Sequence, residues 1–170
     1  YAFLQSPSGS WSEVQKLTPT DGAENAYFGI SLALSGQIAL VGAHRDDNSG
    51  HAESGAAYVF TWTNESWDET QKLVASDGVA GDHFGWSVAL SHDVALIGAS
   101  HGVHTIGSHS GAAYLFAKDA GSGGWSEAQK LVPSDEVQRN HFGWSVVLNN
   151  EIALLATSYE LTYEDDVEYE

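Results

Sequence analysis

The 170-residue sequence contains no cysteine and no methionine. Disulfides, thiolate nucleophiles and cysteine-based zinc sites are therefore excluded, although the absence of cysteine does not by itself fix a compartment. Basic residues are scarce: six Lys and Arg stand against 23 Asp and Glu, a formal charge of -17. A field of that sign repels nucleic acid and anionic membranes and favours cations or basic partners. No apolar run approaches the ~20 residues that a helix needs to span a bilayer, so membrane insertion is not expected. No secretory leader is visible, and the chain opens at Tyr1, which reads as a processed product or a piece of something longer. No window carries an apolar period of 3.6 residues, so almost no helix is expected. A Gly-x-Ser-x-Gly elbow, a phosphate-cradling loop and a readable buried acid–base pair are missing too, and no enzymatic activity is expected.

What is present is a repeat. Phe84-Gly85-Trp86-Ser87-Val88-Ala89-Leu90 has counterparts beginning at Phe28 and Phe142, 56 residues before it and 58 after it. Large apolar residues alternate with Gly, Ser or Ala, which predicts a strand with one bulky and one thin face. Three further runs recur in step. Ile38-Ala39-Leu40-Val41-Gly42-Ala43 returns at Val94 and Ile152; Tyr58-Val59-Phe60 matches Tyr114-Leu115-Phe116 and Tyr1-Ala2-Phe3; and the Trp-led Gln-Lys-Leu run begins at Trp11, Trp67 and Trp125. Short turns such as Ser35-Gly36-Gln37 read as hairpins. Four antiparallel strands in each period of about 50 residues is the pattern of a propeller blade.

These residues resemble the FG-GAP repeats of integrin-α-type β-propellers. The resemblance covers residues 1 to about 157 and implies an all-β fold of four-stranded antiparallel blades. On that mapping Lys16, Lys72 and Lys130, half of the basic residues, fall on outermost strands, where charge discourages edge-to-edge aggregation. Residues 28–73 and 84–131 form two whole blades. Residues 1–17 supply an outer half-blade, and 142–157 an inner one. Residues 158–170 read as an acidic tail, or as a diverged third strand built on Val167 and Tyr169. Three blades fall below the usual range of 4–8, and half-blades leave edges open. The chain is thus expected to work with a partner: a dimer, a filament, or missing repeats of a longer chain.

Asp46, Asp47, Asn48 and Glu53 gather oxygen ligands around Gly50 and are the candidate calcium ligands; the competing reading is an acidic surface loop. The calcium loop of the integrin family lies between the first and second strands of a blade. Here that connection is a short hairpin, so the family's metal residues do not carry over. His101, His104 and His109 crowd the equivalent loop of the next repeat, and three imidazoles could bind a transition metal; their Gly-Ser spacing imposes no geometry and no carboxylate orients them, so the loop reads as one without a metal. His83 and His141 precede Phe-Gly in phase with Tyr27, which suggests a structural bond to a neighbouring blade. Trp86 and Trp144, in phase with Ile30, read as packing positions. Asn64-Glu65-Ser66 is a glycosylation acceptor pattern.

The function expected from the resemblance is an extracellular or cell-surface protein-interaction or adhesion module, self-associating or part of a larger assembly. The alternative is a lectin-like glycan binder, which requires equivalent exposed aromatics at Trp11, Trp67 and Trp125. An enzyme on a propeller scaffold ranks last, because fold alone does not assign chemistry.

Overall fold

The computed structural model describes residues 1–48, 50–102, 110–134 and 140–158. Twelve strands run in chain order: β1 (Ala2–Gln5), β2 (Trp11–Gln15), β3 (Leu32–Ser35), β4 (Ile38–Ala43), β5 (Ala56–Thr63), β6 (Ser66–Leu73), β7 (Phe84–Ser91), β8 (Val94–Ala99), β9 (Ala112–Lys118), β10 (Trp125–Leu131), β11 (Ser145–Asn149) and β12 (Ile152–Ala156). They form two four-stranded sheets, β3-β4-β5-β6 and β7-β8-β9-β10, flanked by the two-stranded sheets β1-β2 and β11-β12. Every pairing within these sheets is antiparallel. Among the described residues there is no helix.

Burial follows strand position. β4 and β8 are nearly continuous apolar runs, as suits strands covered on both faces. β6 alternates Trp, Glu and Gln with smaller residues and is half-exposed. Leu40, Val59 and Leu73 of the first full sheet pack with Phe84, Val88, Ile97 and Tyr114 of the second. Leu96 and Ala113 of the second pack with Val146 and Leu155 of the β11-β12 pair. The sheets are thus stacked face to face as blades. Both full sheets and the β1-β2 pair carry a bulge at the same place, leaving Val14, Thr70 and Ala128 without a directly opposed residue. A bulge strengthens local twist, which suits sheets that fan rather than lie flat.

Two expectations need correcting. The Phe-Gly segments are not simple alternating strands. Gly29, Gly85 and Gly143 have φ of 94°, 89° and 85°, and Tyr27, His83 and His141 before them are also left-handed. A turn closes over each pair: the amide of Ile30, Trp86 or Trp144 donates to the carbonyl of Tyr27, His83 or His141 at 3.1 Å. Regular pairing therefore starts only at Leu32 and Ser145, and β7 carries a register shift between Phe84 and Ser87. Two of the three outer-strand lysines, Lys72 and Lys130, are held in ion pairs rather than left as free edge charges. Lys72 donates to Asp21 and Asp46 at 2.8 Å each, and Lys130 to Asp77 at 2.6 Å. The acidic connections preceding each sheet reach these amines because stacking brings them alongside. The tail from residue 159 onward lies outside the described residues.

Candidate functional site

At one end of the blades, the ends of β4 and β8 meet the turns that lead into the Phe-Gly segments. Backbone bonds fix this meeting: the amide of Arg45 donates to the carbonyl of Ala26 at 3.2 Å, and that of His101 to Asp82 at 3.3 Å. Side chains from successive repeats then line up. The Arg45 guanidinium lies 5.0 Å from the Tyr27 ring centre and 3.7 Å from the Glu53 carboxylate. Glu53 also contacts His83 Nε2 at 3.2 Å. The His83 ring is 4.4 Å from that of His101, which lies 4.8 Å from His141. Beneath them, His44 packs against His83 at 5.2 Å and Trp86 at 4.9 Å, and Trp86 against Trp144 at 4.6 Å. His83 and His141 do bond to the preceding blade, His83 through Glu53 and His141 through Nδ1 and the carbonyl of Ser100 at 3.1 Å.

Two imidazoles of this row are held toward the neutral form. Burial depresses the His44 pKa to about 4, helped by the nearby His83 and Arg45. Burial also lowers that of His83, against the opposing pull of Glu53. The Nδ1 atoms of both are buried without a hydrogen-bond partner. The flanks of the row, Tyr27 at 52% and Trp144 at 39%, are exposed.

The depressed imidazole makes stability fall on acidification. A histidine whose folded pKa lies below its unfolded value is protonated first in the unfolded chain, so stability is full above about pH 6.5 and declines toward pH 4. The expected loss is about 2–3 kcal/mol. Urea unfolding at pH 7.5 and pH 4.5 should show it, and His44→Phe should remove most of the difference. The same slope in that variant would place the acid sensitivity elsewhere.

The candidate calcium residues point at separate partners. Asp46 is 2% exposed; it accepts from Tyr58 Oη at 2.6 Å and Lys72 Nζ at 2.8 Å. Asp47 accepts from the Glu53 amide at 2.8 Å. The Asn48 side-chain nitrogen donates to the carbonyl of Gly55 at 2.8 Å, and Glu53 turns to Arg45 and His83. Among the described residues no group of three His, Asp or Glu side chains is placed to hold a metal ion. Of the three loop histidines, His101 joins the aromatic row, while His104 and His109 lie outside the described residues. Asn64 sits exposed in the tight β5-β6 turn, with Asn64 and Glu65 at φ of 49° and 65°. The Trp series is not equivalent: Trp11 is 66% exposed and Trp125 6%.

Sequence reasoning missed the links between blades. The Gln15 side chain clasps both backbone polar groups of Trp67, and Gln71 does the same to Trp125. Both glutamines sit in the repeated Gln-Lys-Leu run. That recurrence was the available signal, but it does not say what they bond.

Stacked four-stranded antiparallel sheets with in-phase links define a propeller-type repeat protein. The FG-GAP repeat family model matches residues 11–60, 67–116 and 125–166, and the chain belongs to that family. A search of curated proteins finds no match. The first two matches begin on the outermost strand of one sheet and continue through the inner three of the next, and the third begins on β10 and takes in β11 and β12, so consecutive sequence repeats interlock across blades.

Proposed function

We propose that the chain is a non-catalytic protein-interaction module, acting outside the cell or at its surface as part of a larger assembly. One observation carries this reading: apolar side chains buried in the middle of the array are bare at both ends. Leu32 and Leu34 on β3 are 70% and 67% exposed, and Ile152 and Leu154 on β12 are 63% and 66%. In the sheet with neighbours on both sides, the counterparts of Leu32 and Leu154, Val88 and Leu96, are 8% and 0% exposed, and those of Leu34 and Ile152, Leu90 and Val94, are half-buried. Apolar surface of this kind calls for a cover. The aromatic row supplies a second contact surface. The net charge of -17 selects a basic or cation-bearing partner by steering, and the accessible Asn64 suits a secreted setting.

The native mass of the purified chain tests the assembly reading. A particle heavier than one 18.2 kDa chain is expected, dissociating when Leu32→Asp puts charge on the bare β3 face. A monomer at every concentration would remove the assembly reading.

A further inference from the structure

The two full sheets are tied together at both ends of their inner strands. The Ser31 hydroxyl donates to the Gly85 carbonyl at 2.8 Å. At the end away from the aromatic row, the His92 amide donates to the Ser35 hydroxyl at 3.1 Å. Beside that second tie a groove of about 410 Å³ opens between the β3-β4 and β7-β8 turns. Ser35, Gln37, Ile38 and Thr61 of the first full sheet line it, together with Asp93 and Lys118 of the second. Its size lies within the range of small-molecule sites, and it sets polar groups around an apolar side chain, as such sites do.

The charged groups of this groove are not engaged. Among the described residues, Lys16 and Arg45 lie over the Tyr1 and Tyr27 rings, and Lys72 and Lys130 hold carboxylates. Lys118 is half-buried and has neither a ring nor a carboxylate among them. The side chains of Asp93 and Gln37 make no hydrogen bond with a described residue either. Backbone pairing sets Lys118 beside Asp93, with the Lys118 amide donating to the Asp93 carbonyl at 2.8 Å. Even so, their side chains form no ion pair with each other. The fold requires neither charge. In the first full sheet the same bond runs from the Trp62 amide to the Gln37 carbonyl at 2.8 Å, between uncharged residues in phase with these two. A half-buried ammonium without a counter-charge is unfavourable, so a ligand that supplies one gains by binding.

We propose that this groove binds a zwitterionic α-amino acid with a small side chain, its carboxylate on Lys118 and its ammonium on Asp93. Hydrogen bonds between ionised groups are roughly twice as strong as neutral ones. A carboxylate alone would suit Lys118 but confront Asp93 with an anion; an amine alone would confront Lys118 with a cation. The zwitterion satisfies both. It also adds no net charge to a chain at -17, whose field repels anions. The Gln37 amide and Thr61 hydroxyl supply further hydrogen-bonding groups, and Ile38 an apolar surface for the ligand's carbon atoms. The Ser35 hydroxyl accepts from the His92 amide and keeps its own proton to donate.

Titration of the isotope-labelled chain with L-serine, followed by NMR, tests the site. Saturable shifts centred on the backbone amides of Gln37, Thr61, Asp93 and Lys118 are expected. Acetate and methylamine carry one charge each and should bind about tenfold more weakly or not at all. Lys118→Gln and Asp93→Asn should each weaken serine binding about tenfold, the worth of one charge-assisted hydrogen bond. Neither variant should lower the urea midpoint, because neither side chain is bonded in the free chain. The site is overturned by any of four results: no saturable shift, shifts centred elsewhere, acetate binding as well as serine, or an affinity indifferent to Lys118→Gln. The assembly reading is independent of this site and is decided separately by the native mass.

Discussion

Replacing Gly85 by alanine is expected to destabilise the folded chain by about 3–5 kcal/mol. Two costs add at this position. The backbone φ is 89°, a left-handed conformation that side chains resist. The new Cβ would also press into the Ala56 carbonyl and come within 3.2 Å of the Ala43 nitrogen. Neither obstacle is a flexible side-chain end, so the second sheet would have to move away from the first. The links through Ser31 and the packing of Phe84 on Tyr114, 5.5 Å between ring centres, would be strained together. Gly36 separates the two costs. Its φ is 58° and no atom lies within 4 Å of a Cβ built there, so Gly36→Ala should cost only about 1 kcal/mol. Urea midpoints of both variants make the comparison. Equal losses would show that the close approach between sheets is not what requires glycine at position 85.

Lys72→Met is expected to cost about 3 kcal/mol or more. Lys72 bridges Asp21 on the connection preceding the sheet and the buried Asp46 on the loop after β4, 2.8 Å from each. Without the ammonium, the Asp46 carboxylate stays buried with Tyr58 as its one remaining donor among the described residues. Burial opposes the charge on Lys72, but the bonds to Asp21 and Asp46 outweigh it and hold its pKa above the ordinary lysine value. The bond from Lys72 likewise holds Asp21 below the ordinary carboxylate range. The signs then give a window. A lowered carboxylate pKa contributes stability that is lost as pH falls through the folded value, and a raised lysine pKa contributes stability that is lost as pH rises through its own. The knot is complete between those limits. Lys130→Met is the control: Asp77 is half-exposed, and an exposed pair is worth about 1 kcal/mol or less. Adding Asp46→Asn to Lys72→Met should recover part of the loss, since the amide needs no counter-charge. Similar losses for the two lysine variants would mean that the burial of Asp46 does not set the cost.

Much of the fold could be read from single residues. The apolar runs at Ile38, Val94 and Ile152 became β4, β8 and β12, because a continuous apolar run bounded by turn residues is enough to mark a strand. The hairpin turns were as readable: Gly36, His92 and Asn150 take positive φ at the first turn position. The Phe-Gly segments were misjudged because alternation in the sequence cannot reveal a left-handed glycine, whose conformation answers to the neighbouring sheet. The acidic loop at Asp46 drew attention as an oxygen cluster, but its strongest partner was a lysine 26 residues away.

The sequence by itself determined that the chain is a serial array of four-stranded β-units, since alternation, turn chemistry and repetition are local properties read along the backbone. Tertiary structure alone decided which side chains meet between units. Gln15 with Trp67, Thr20 with Glu69 and Lys72 with Asp21 are separated by 52, 49 and 51 residues. Whether such residues touch depends on how far one sheet is turned and shifted against the next. That geometry is set by the packing of all the faces together, and no single segment encodes it.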